Sequence, residues 1–569
     1  MKLRMLLLLS GILASCPATS SSQNARPAPS QPSLAAGRSA LSAGNHAAAE
    51  TIFRKITAKQ PGNLVAWHLL ALTLHSSGRP EEAVPAYIKA SVHPRLAPSA
   101  NYNLACAHSL AGRIDASLKA LEQAWRAGYR DLKQARADQD LTLVRADTRF
   151  APLLKRLQAE LVAFNDGTRI IHEIHGENAG DQFGWVAGGA GDVDADGVRD
   201  FIVGAPNVSQ NRRPHGAIYV YSGKTGTLLF KKLGRAGDHL GYGVDQVGDL
   251  DGDGHCDVIG GAPSTQQGGP GRAYVFSGKT GTQLAMVAGD NAGDRFGVEA
   301  SGVGDFDGDG INDYLVGAER HDNAGKDAGR LVIFSGKTHK PITTLDGEVA
   351  GDQFGRAAEG LFRNGSGLLV VGAPKAGPTK RGRAYVYRKN STTSPLRKLA
   401  ILDADKTGGA FGEMFVSIPG DLNGDQTPDI YVSDWRNRAR GSNTGRIYLY
   451  SGKDGASLGS ITGKAGEGFG IGKAEAGDVD GDGIADLIVG AWQNSDLAPS
   501  GGKAYLISGK TRAAIKTFTC RTPGDTFGFD ATGLGDINAD GAPDFLITSA
   551  DSSIKGRQSG RVFVISGKL

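Results

Sequence analysis

The sequence predicts a multidomain chain, an α-helical repeat solenoid followed by an all-β seven-bladed propeller. Three observations predict it. Gly44, Gly78 and Gly112 recur at a spacing of 34 residues, each between two amphipathic helical stretches. Further on, a Gly-acidic-x-Phe-Gly type of step recurs about every 57 residues, with its apolar residue at Phe183, Leu240, Phe296, Phe354, Phe411, Phe469 and Phe527. Six of those seven copies then carry an acidic loop with the spacing of a cation site. A period of this length carried by strands is the signature of a blade array.

Composition narrows the class. The 83 glycines in 569 residues follow no triplet period and read as turns. The formal net charge is +4, but the six acidic loops hold 22 aspartates; setting those aside leaves 37 acids against 63 Lys and Arg. With the loops neutralised by metal, the remaining surface is basic, which suits polyanionic partners or simply keeps the protein soluble. No specific nucleic acid is expected, and a monomer is. Four cysteines are too few for a disulfide scaffold. Cys106 falls in a helical pattern and is expected to be buried, Cys256 falls in the second acidic loop, and Cys520 lies too many repeats away to pair with it.

Residues 1–15 read as a secretory leader: Lys2 and Arg4 charge its start, and the apolar run Met5–Ala14 is too short to span a bilayer. The run ends Leu13-Ala14-Ser15-Cys16, which resembles a bacterial lipobox. That resemblance implies that Cys16 becomes a lipid-bearing N-terminus, and Pro17 after it points to the outer membrane or cell surface. Two or more acyl chains would hold the chain there firmly; the alternative is ordinary cleavage and a soluble secreted protein. Residues 16–33, rich in Ser, Pro, Ala and Gln, cannot bury a core and read as a tether.

The helical array spans 34–160. Its first copy shows Gly37, Ala49, Phe53 and Pro61, its second Trp67, Leu70, Ala83, Tyr87 and Ala90, and its third Leu104, Ala105, Leu121 and Ala124. Small residues let paired helices approach and bulky ones fill between them. This pattern resembles the tetratricopeptide repeat, with Leu141, Leu143, Phe150, Leu153, Leu154 and Leu157 as a capping segment. The resemblance implies a concave groove for a peptide or partner helix; a spacer that packs against the next domain is the other reading.

The β region spans 167–569. Its second copy reads as an inner strand after Gly237-Asp238-His239-Leu240-Gly241, an acidic loop from Asp249 to Asp257, the strand Val258-Ile259-Gly260, then Gly261-Ala262-Pro263, a third strand ending Ser277-Gly278-Lys279, and an outer strand near Thr282. Four strands per unit suit a propeller blade. Phe-Gly and Gly-Ala-Pro with an acidic loop between them resemble the FG-GAP repeat of the integrin α-subunit propeller, over about 400 residues of this chain. The last copy stops before its outer strand and the first begins with an extra one, Thr168–Ile174, so this orphan strand is expected to close the ring and remove its edges.

The loops follow Asp-x-Asp-x-Asp-Gly-x-x-Asp, in which side-chain oxygens at positions 1, 3, 5 and 9 and a backbone carbonyl at 7 can wrap a hard cation. The sets are Asp192, Asp194, Asp196, Val198 and Asp200; Asp249, Asp251, Asp253, His255 and Asp257; Asp305, Asp307, Asp309, Ile311 and Asp313; Asp421, Asn423, Asp425, Thr427 and Asp429; Asp478, Asp480, Asp482, Ile484 and Asp486; and Asp536, Asn538, Asp540, Ala542 and Asp544. All-oxygen ligands favour Ca²⁺, so six structural Ca²⁺ sites are expected. The fifth copy has Gln426 in place of the turn glycine and should be weakest; the fourth, Arg363-Asn364-Gly365-Ser366-Gly367, has lost its site.

The loops lie on one rim. The opposite rim carries Arg320, Lys375, Trp435, Arg436, Arg438, Arg440 and Trp492, which suit an anionic glycan or an acidic peptide if the tryptophans are exposed rather than packed. No catalytic residues are assigned: His172-Glu173-Ile174-His175 falls on a strand, where residues three apart face opposite ways, and no nucleophile elbow or phosphate loop is placed on a suitable unit. The expectation is a calcium-binding adhesion or scaffold protein at the cell surface. A polysaccharide-acting enzyme is the alternative, which convergent carboxylates at the propeller axis would favour, and an envelope assembly factor is a third reading.

Overall fold

A computed structural model describes residues 33–93, 96–127, 129, 132–159, 163–164, 167–264 and 269–569. The expected leader, the lipobox with Cys16 and nearly all of the tether lie outside the described residues. The chain divides into two compact units, Met1–Glu160 and Leu161–Leu569.

The first unit is helical. Paired antiparallel helices run α1 (Leu34–Ser42), α2 (His46–Lys59), α3 (Leu64–Ser76), α4 (Pro80–Ala90), α5 (Ala97–Leu110) and α6 (Ile114–Arg126). Asn45 and Asn63 cap α2 and α3 by accepting the N–H of Ala48 and Ala66. The three period-setting glycines sit in the left-handed region just past a helix end, as Gly44 does at φ 73°. Within the first pair the phenyl ring of Phe53 fills the space that a side chain at Gly37 would need, 2.4 Å from an added Cβ. Phe53, Leu70, Leu74, Ala83, Tyr87, Leu104, Ala105, Leu121 and Ala124 share one core. The capping segment adds α7 (Leu132–Ala137), a 3₁₀ turn Gln139–Leu141, α8 (Thr142–Arg145) and α9 (Phe150–Ala159). Leu141, Val144, Phe150, Leu154 and Leu157 are buried, whereas Leu143, expected to pack, is 52% exposed. It follows Thr142 on the outer side of a helix of four residues, which has only one face to bury.

The second unit is all β. It repeats one up-and-down antiparallel meander of four strands, seen in Val244–Gly248, Asp257–Ala262, Arg272–Phe276 and Gln283–Ala288. The first strands of successive sheets pack side by side, in the order Ala187–Gly191, Val244–Gly248, Glu299–Gly304, Ala358–Arg363, Val416–Gly420, Phe469–Gly477 and Ala531–Gly535, and the last of these packs beside the first. This many-stranded arrangement is consistent with a propeller. The orphan strand spans Ile170–His175 and pairs antiparallel with Arg561–Ser566, completing the C-terminal sheet. His172 and His175 on it take different partners, the carbonyl of Gly223 at 2.7 Å and the carboxylate of Glu173 at 3.3 Å.

The recurring step holds adjacent sheets together. Its apolar residue is buried in every copy, from Phe183 to Phe527, and Leu240, for example, bridges to Gly216 ahead of the previous sheet's third strand. A Cβ at Gly216 would meet the Leu240 backbone at 2.1 Å, so the approach requires glycine. The acid of the step is structural too: Asp238 accepts from the Tyr274 hydroxyl at 2.6 Å and pairs with Arg272 at 2.8 Å. The unit's core begins upstream of the expected start at Gly167, because Phe164 inserts against Phe527 and Phe563, with ring centroids 4.9 and 5.4 Å away.

Candidate metal centres and the opposite rim

Each acidic loop joins the first strand of a sheet to the second. Its last aspartate (Asp200, Asp257, Asp313, Asp429, Asp486 or Asp544) is the first residue of that second strand and is fully buried. One carboxylate oxygen of Asp200 accepts the N–H of Val193 at 2.7 Å, and the other accepts the N–H of Gly223 at 2.8 Å. The pair recurs as Leu250 and Gly278 on Asp257, Phe306 and Gly336 on Asp313, Leu422 and Gly452 on Asp429, Val479 and Gly509 on Asp486, and Ile537 and Gly567 on Asp544. This aspartate therefore pins the loop to the end of the third strand. Burial pushes the carboxyls of Asp200, Asp257, Asp313, Asp429 and Asp544 up to about 6 and raises that of Asp486.

The rest of the loop is folded by its own carboxylates. Asp249 accepts from the N–H groups of Gly252 at 2.8 Å, Asp253 at 3.1 Å and Gly254 at 2.9 Å. Asp251 then accepts from Asp253, and Asp253 from His255. The same last step, position 5 receiving the N–H of position 7, joins Val198 to Asp196, Ile311 to Asp309, Thr427 to Asp425, Ile484 to Asp482 and Ala542 to Asp540. The outcome is a cradle of oxygens. Carboxylates at positions 1, 3 and 9 come within 4.8 Å of one another in Asp192, Asp194 and Asp200; Asp249, Asp251 and Asp257; Asp305, Asp307 and Asp313; and Asp478, Asp480 and Asp486. Lys224, Lys337 and Lys510 reach only position 5, at 3.5–3.8 Å from Asp196, Asp309 and Asp482. Three negative groups at this separation, with oxygen donors only, fit a hard divalent cation.

In the two asparagine loops the amides of Asn423 and Asn538 lie beside the position-9 carboxylates Asp429 and Asp544, at 3.4 and 3.2 Å. Asn538 Oδ1 is left buried without a hydrogen-bond partner, an acceptor available to a cation. Gln426 takes the turn position of the fifth loop at φ 66°, where a residue bearing a side chain is strained.

Models of known families match three stretches: a tetratricopeptide repeat over residues 34–101, an FG-GAP repeat over 183–221 and an FG-GAP-like repeat over 421–489. Integrin alpha-PS5 of Drosophila melanogaster is 33% identical over 165 residues, and integrin alpha-V of Gallus gallus 30% identical over 205. The chain carries FG-GAP and tetratricopeptide repeats. A third relative, a chloroplastic protein of Arabidopsis thaliana, is 35% identical over 94 residues. These matches take in 26%, 32% and 16% of this chain, and only 16%, 19% and 28% of the respective relatives.

The FG-GAP copies share a further partner at the end of the third strand. Ser-Gly-Lys recurs at 222–224, 277–279, 335–337, 451–453, 508–510 and 566–568, and its glycine is the one that binds the position-9 aspartate. The fourth copy, which lacks the acidic loop, also lacks this tripeptide and has Lys389 in the glycine's place. Lys389 is buried, and its ammonium donates to the carbonyls of Phe306, Gly365, Ser391 and Thr392 at 2.9–3.1 Å. The coincidence of the two losses in one copy was the available signal.

On the opposite rim, Arg320, Lys375, Arg436, Arg438 and Arg440 are exposed. The tryptophans follow the packed alternative rather than the exposed one. Trp435 and Trp492 are half-buried and meet edge to face, with centroids 5.8 Å apart, because both pack on the core around Phe469 and Ile471. Arg436 covers the Trp435 ring at 4.4 Å and stands 3.8 Å from Glu413, and Arg440 turns back to the carbonyls of Thr462 and Gly463.

The innermost strands also bring carboxylates together. Asp245, Glu299, Glu359 and Asp530 surround Lys473, whose ammonium is 3.0 Å from Asp245. Glu299, Lys473 and Asp530 border a cavity of about 50 Å³ together with Trp185, Tyr242 and Arg356. Burial raises Asp530 to about 6, Glu299 to about 7 and Glu359 to about 8. Among the described residues, no helix is long and apolar enough to cross a membrane.

Proposed function

We propose that this is a calcium-loaded binding scaffold of the cell surface: a seven-bladed propeller, tethered through a tetratricopeptide array to a lipid-anchored N-terminus, that holds a protein or an anionic glycan on its cationic rim. The observation that carries the reading is the loop cradle. Copies of one oxygen-lined geometry on separate sheets cannot converge on a substrate, and they make sense as rivets for Ca²⁺. Likeness to the integrin α chains supports a role in adhesion or ligand binding rather than turnover. The rim residues Arg320, Lys375, Arg436 and Arg438 are not part of the repeat, and unrepeated loops on a repeated frame are where a partner is chosen.

The second reading, a polysaccharide-acting enzyme, draws on the carboxylates around Lys473. The cavity they border, about 50 Å³, holds a water or two, whereas small-molecule sites run to about 300–1,000 Å³. We therefore assign these groups to closing the axis and propose no catalytic role for the chain.

The test is binding of a polyuronate and of a sulfated polysaccharide to the Ca²⁺-saturated chain, against the triple variant Arg320→Ala, Arg436→Ala, Arg438→Ala. Loss of binding in the variant, with an unchanged melting temperature, supports the rim. Equal binding by both proteins refutes it.

A further inference from the structure

The helical unit gathers four metal-ligand side chains that its repeat pattern does not require. Cys106 comes from α5, His75 from the end of α3, and Asp138 and Asp140 from the start of the 3₁₀ turn in the capping segment. The Cys106 thiol and one carboxylate oxygen from each of Asp138 and Asp140 lie within 4.8 Å of one another. His75 adjoins this group at Asp140: its Nε2 stands 3.4 Å from Asp140 Oδ2, its side chain is only 4% exposed, and Nε2 has no hydrogen-bond partner. A buried imidazole nitrogen that faces a carboxylate of this cluster and makes no hydrogen bond is a costly arrangement unless something binds there.

The surrounding groups hold these four in place. His75 Nδ1 is 3.2 Å from the Tyr87 hydroxyl, which orients the ring and leaves Nε2 beside Asp140. The Tyr102 hydroxyl donates to Asp138 Oδ2 at 2.7 Å, and Asp138 Oδ1 accepts the Asp140 N–H at 3.1 Å. Ligating histidines and carboxylates are fixed by such outer partners in metal sites generally.

We propose that His75, Cys106, Asp138 and Asp140 form a Zn²⁺ site that ties the second repeat to the third and to the cap. Ligands around a tetrahedral Zn²⁺, with bonds of about 2.0–2.3 Å, sit about 3.3–3.8 Å from one another. The separations here are 3.4 Å for His75 to Asp140 and 3.8 Å for Cys106 to Asp138. One thiol and one imidazole in the set select a zinc-class ion over the Ca²⁺ that suits the FG-GAP loops. Burial, with Asp138 and Asp140 nearby, pushes the Cys106 thiol well up. Binding therefore forms the sulfur–zinc bond and releases the thiol proton to solvent.

The experiment uses the full chain, reduced with a phosphine, stripped of metals and then saturated with Ca²⁺. It is titrated with Co²⁺, whose thiolate charge-transfer absorption reports sulfur ligation, and then with Zn²⁺ in competition. The expected result is one equivalent bound with that absorption, displaced by Zn²⁺. The absorption is lost in Cys106→Ser and kept in Cys256→Ser, and His75→Gln weakens binding at least ~10-fold. A wild-type chain with no thiolate absorption overturns the proposal whatever the variants do. So does an absorption that survives in a folded Cys106→Ser protein, with folding read by far-ultraviolet circular dichroism.

Discussion

Lys389 places its ammonium 3.1 Å from the carbonyl oxygen of Gly365, in the one sheet whose turn has lost its carboxylates. Three further carbonyls share that ammonium, including that of Phe306 in the third acidic loop. A side-chain cation thus stands where the other sheets have a glycine and an aspartate. Lys389→Met keeps the bulk and removes the charge, leaving buried acceptors unmet at a cost of about 1–3 kcal/mol. The expected outcome is a lower urea midpoint with an unchanged slope. Because Phe306 belongs to the neighbouring loop, the calcium-dependent part of the stability should fall as well. A midpoint equal to wild type would show that Lys389 is spectator.

Asp200 and Asp194 sit in the same loop with different duties. Asp200 accepts one backbone N–H from its own loop (Val193, 2.7 Å) and one from the end of the third strand (Gly223, 2.8 Å), whereas the Asp194 carboxylate accepts only within the loop. Asp200→Asn should destabilise the metal-depleted chain by about 1–3 kcal/mol, since an amide cannot accept at both places. Asp194→Asn should leave the metal-depleted chain unchanged and reduce its gain on adding Ca²⁺. At tenfold excess over Kd that gain is about 1.4 kcal/mol per site. Paired thermal melts in chelator and in Ca²⁺ separate the two; identical behaviour of the variants would sink the distinction.

The residues explain how far the sequence could be read. Phe183 through Phe527 and the aspartate sets are legible because each copy must satisfy the same local geometry, so the constraint is written many times. The orphan strand was legible for the same reason, as a strand present at one end of the chain and missing at the other. What escaped were contacts made once. Phe164 inserts between Phe527 and Phe563 from a segment with no periodicity. Trp435 and Trp492 look like surface platforms in their loops, and only the packing of adjacent sheets turns them toward each other. Lys389 reads as one more basic residue until its four carbonyls are assembled from three segments. The carboxylates around Lys473 come from separate strands whose inner positions carry no common residue type.

Those carboxylates give the stability a pH dependence. Burial is the first cause of the raised values, about 7 for Glu299, about 8 for Glu359 and about 6 for Asp530. An acid with a raised folded-state value holds its proton more tightly in the fold. Its contribution is full below the unfolded carboxyl range of about 4 and is lost as pH rises through the folded value. The buried His68, lowered to about 4, acts oppositely but only below about pH 6.5. The melting temperature of the Ca²⁺-saturated chain should therefore fall between about pH 6.5 and 8.5. Glu359→Gln should flatten that fall, and a flat wild-type profile would contradict the assignment of these groups to closing the axis as buried, protonated acids.

Gln426 supplies the sharpest comparison between loops. It adopts φ 66° where Gly197, Gly254, Gly310, Gly483 and Gly541 take the corresponding place at φ 84–88°. A residue with a side chain costs about 1–2 kcal/mol in the left-handed region. Gln426→Gly removes that strain, partly offset by the greater freedom glycine gives the unfolded chain. The net gain expected is about 0.5–1 kcal/mol, and it should be larger in Ca²⁺ than in chelator, because a loop already shaped for the ion loses less on binding it. Isothermal titration should then show the weakest class of Ca²⁺ sites reduced by one and a tighter class increased by one. A variant with a higher midpoint but the same site classes would mean that the fifth loop does not bind the ion.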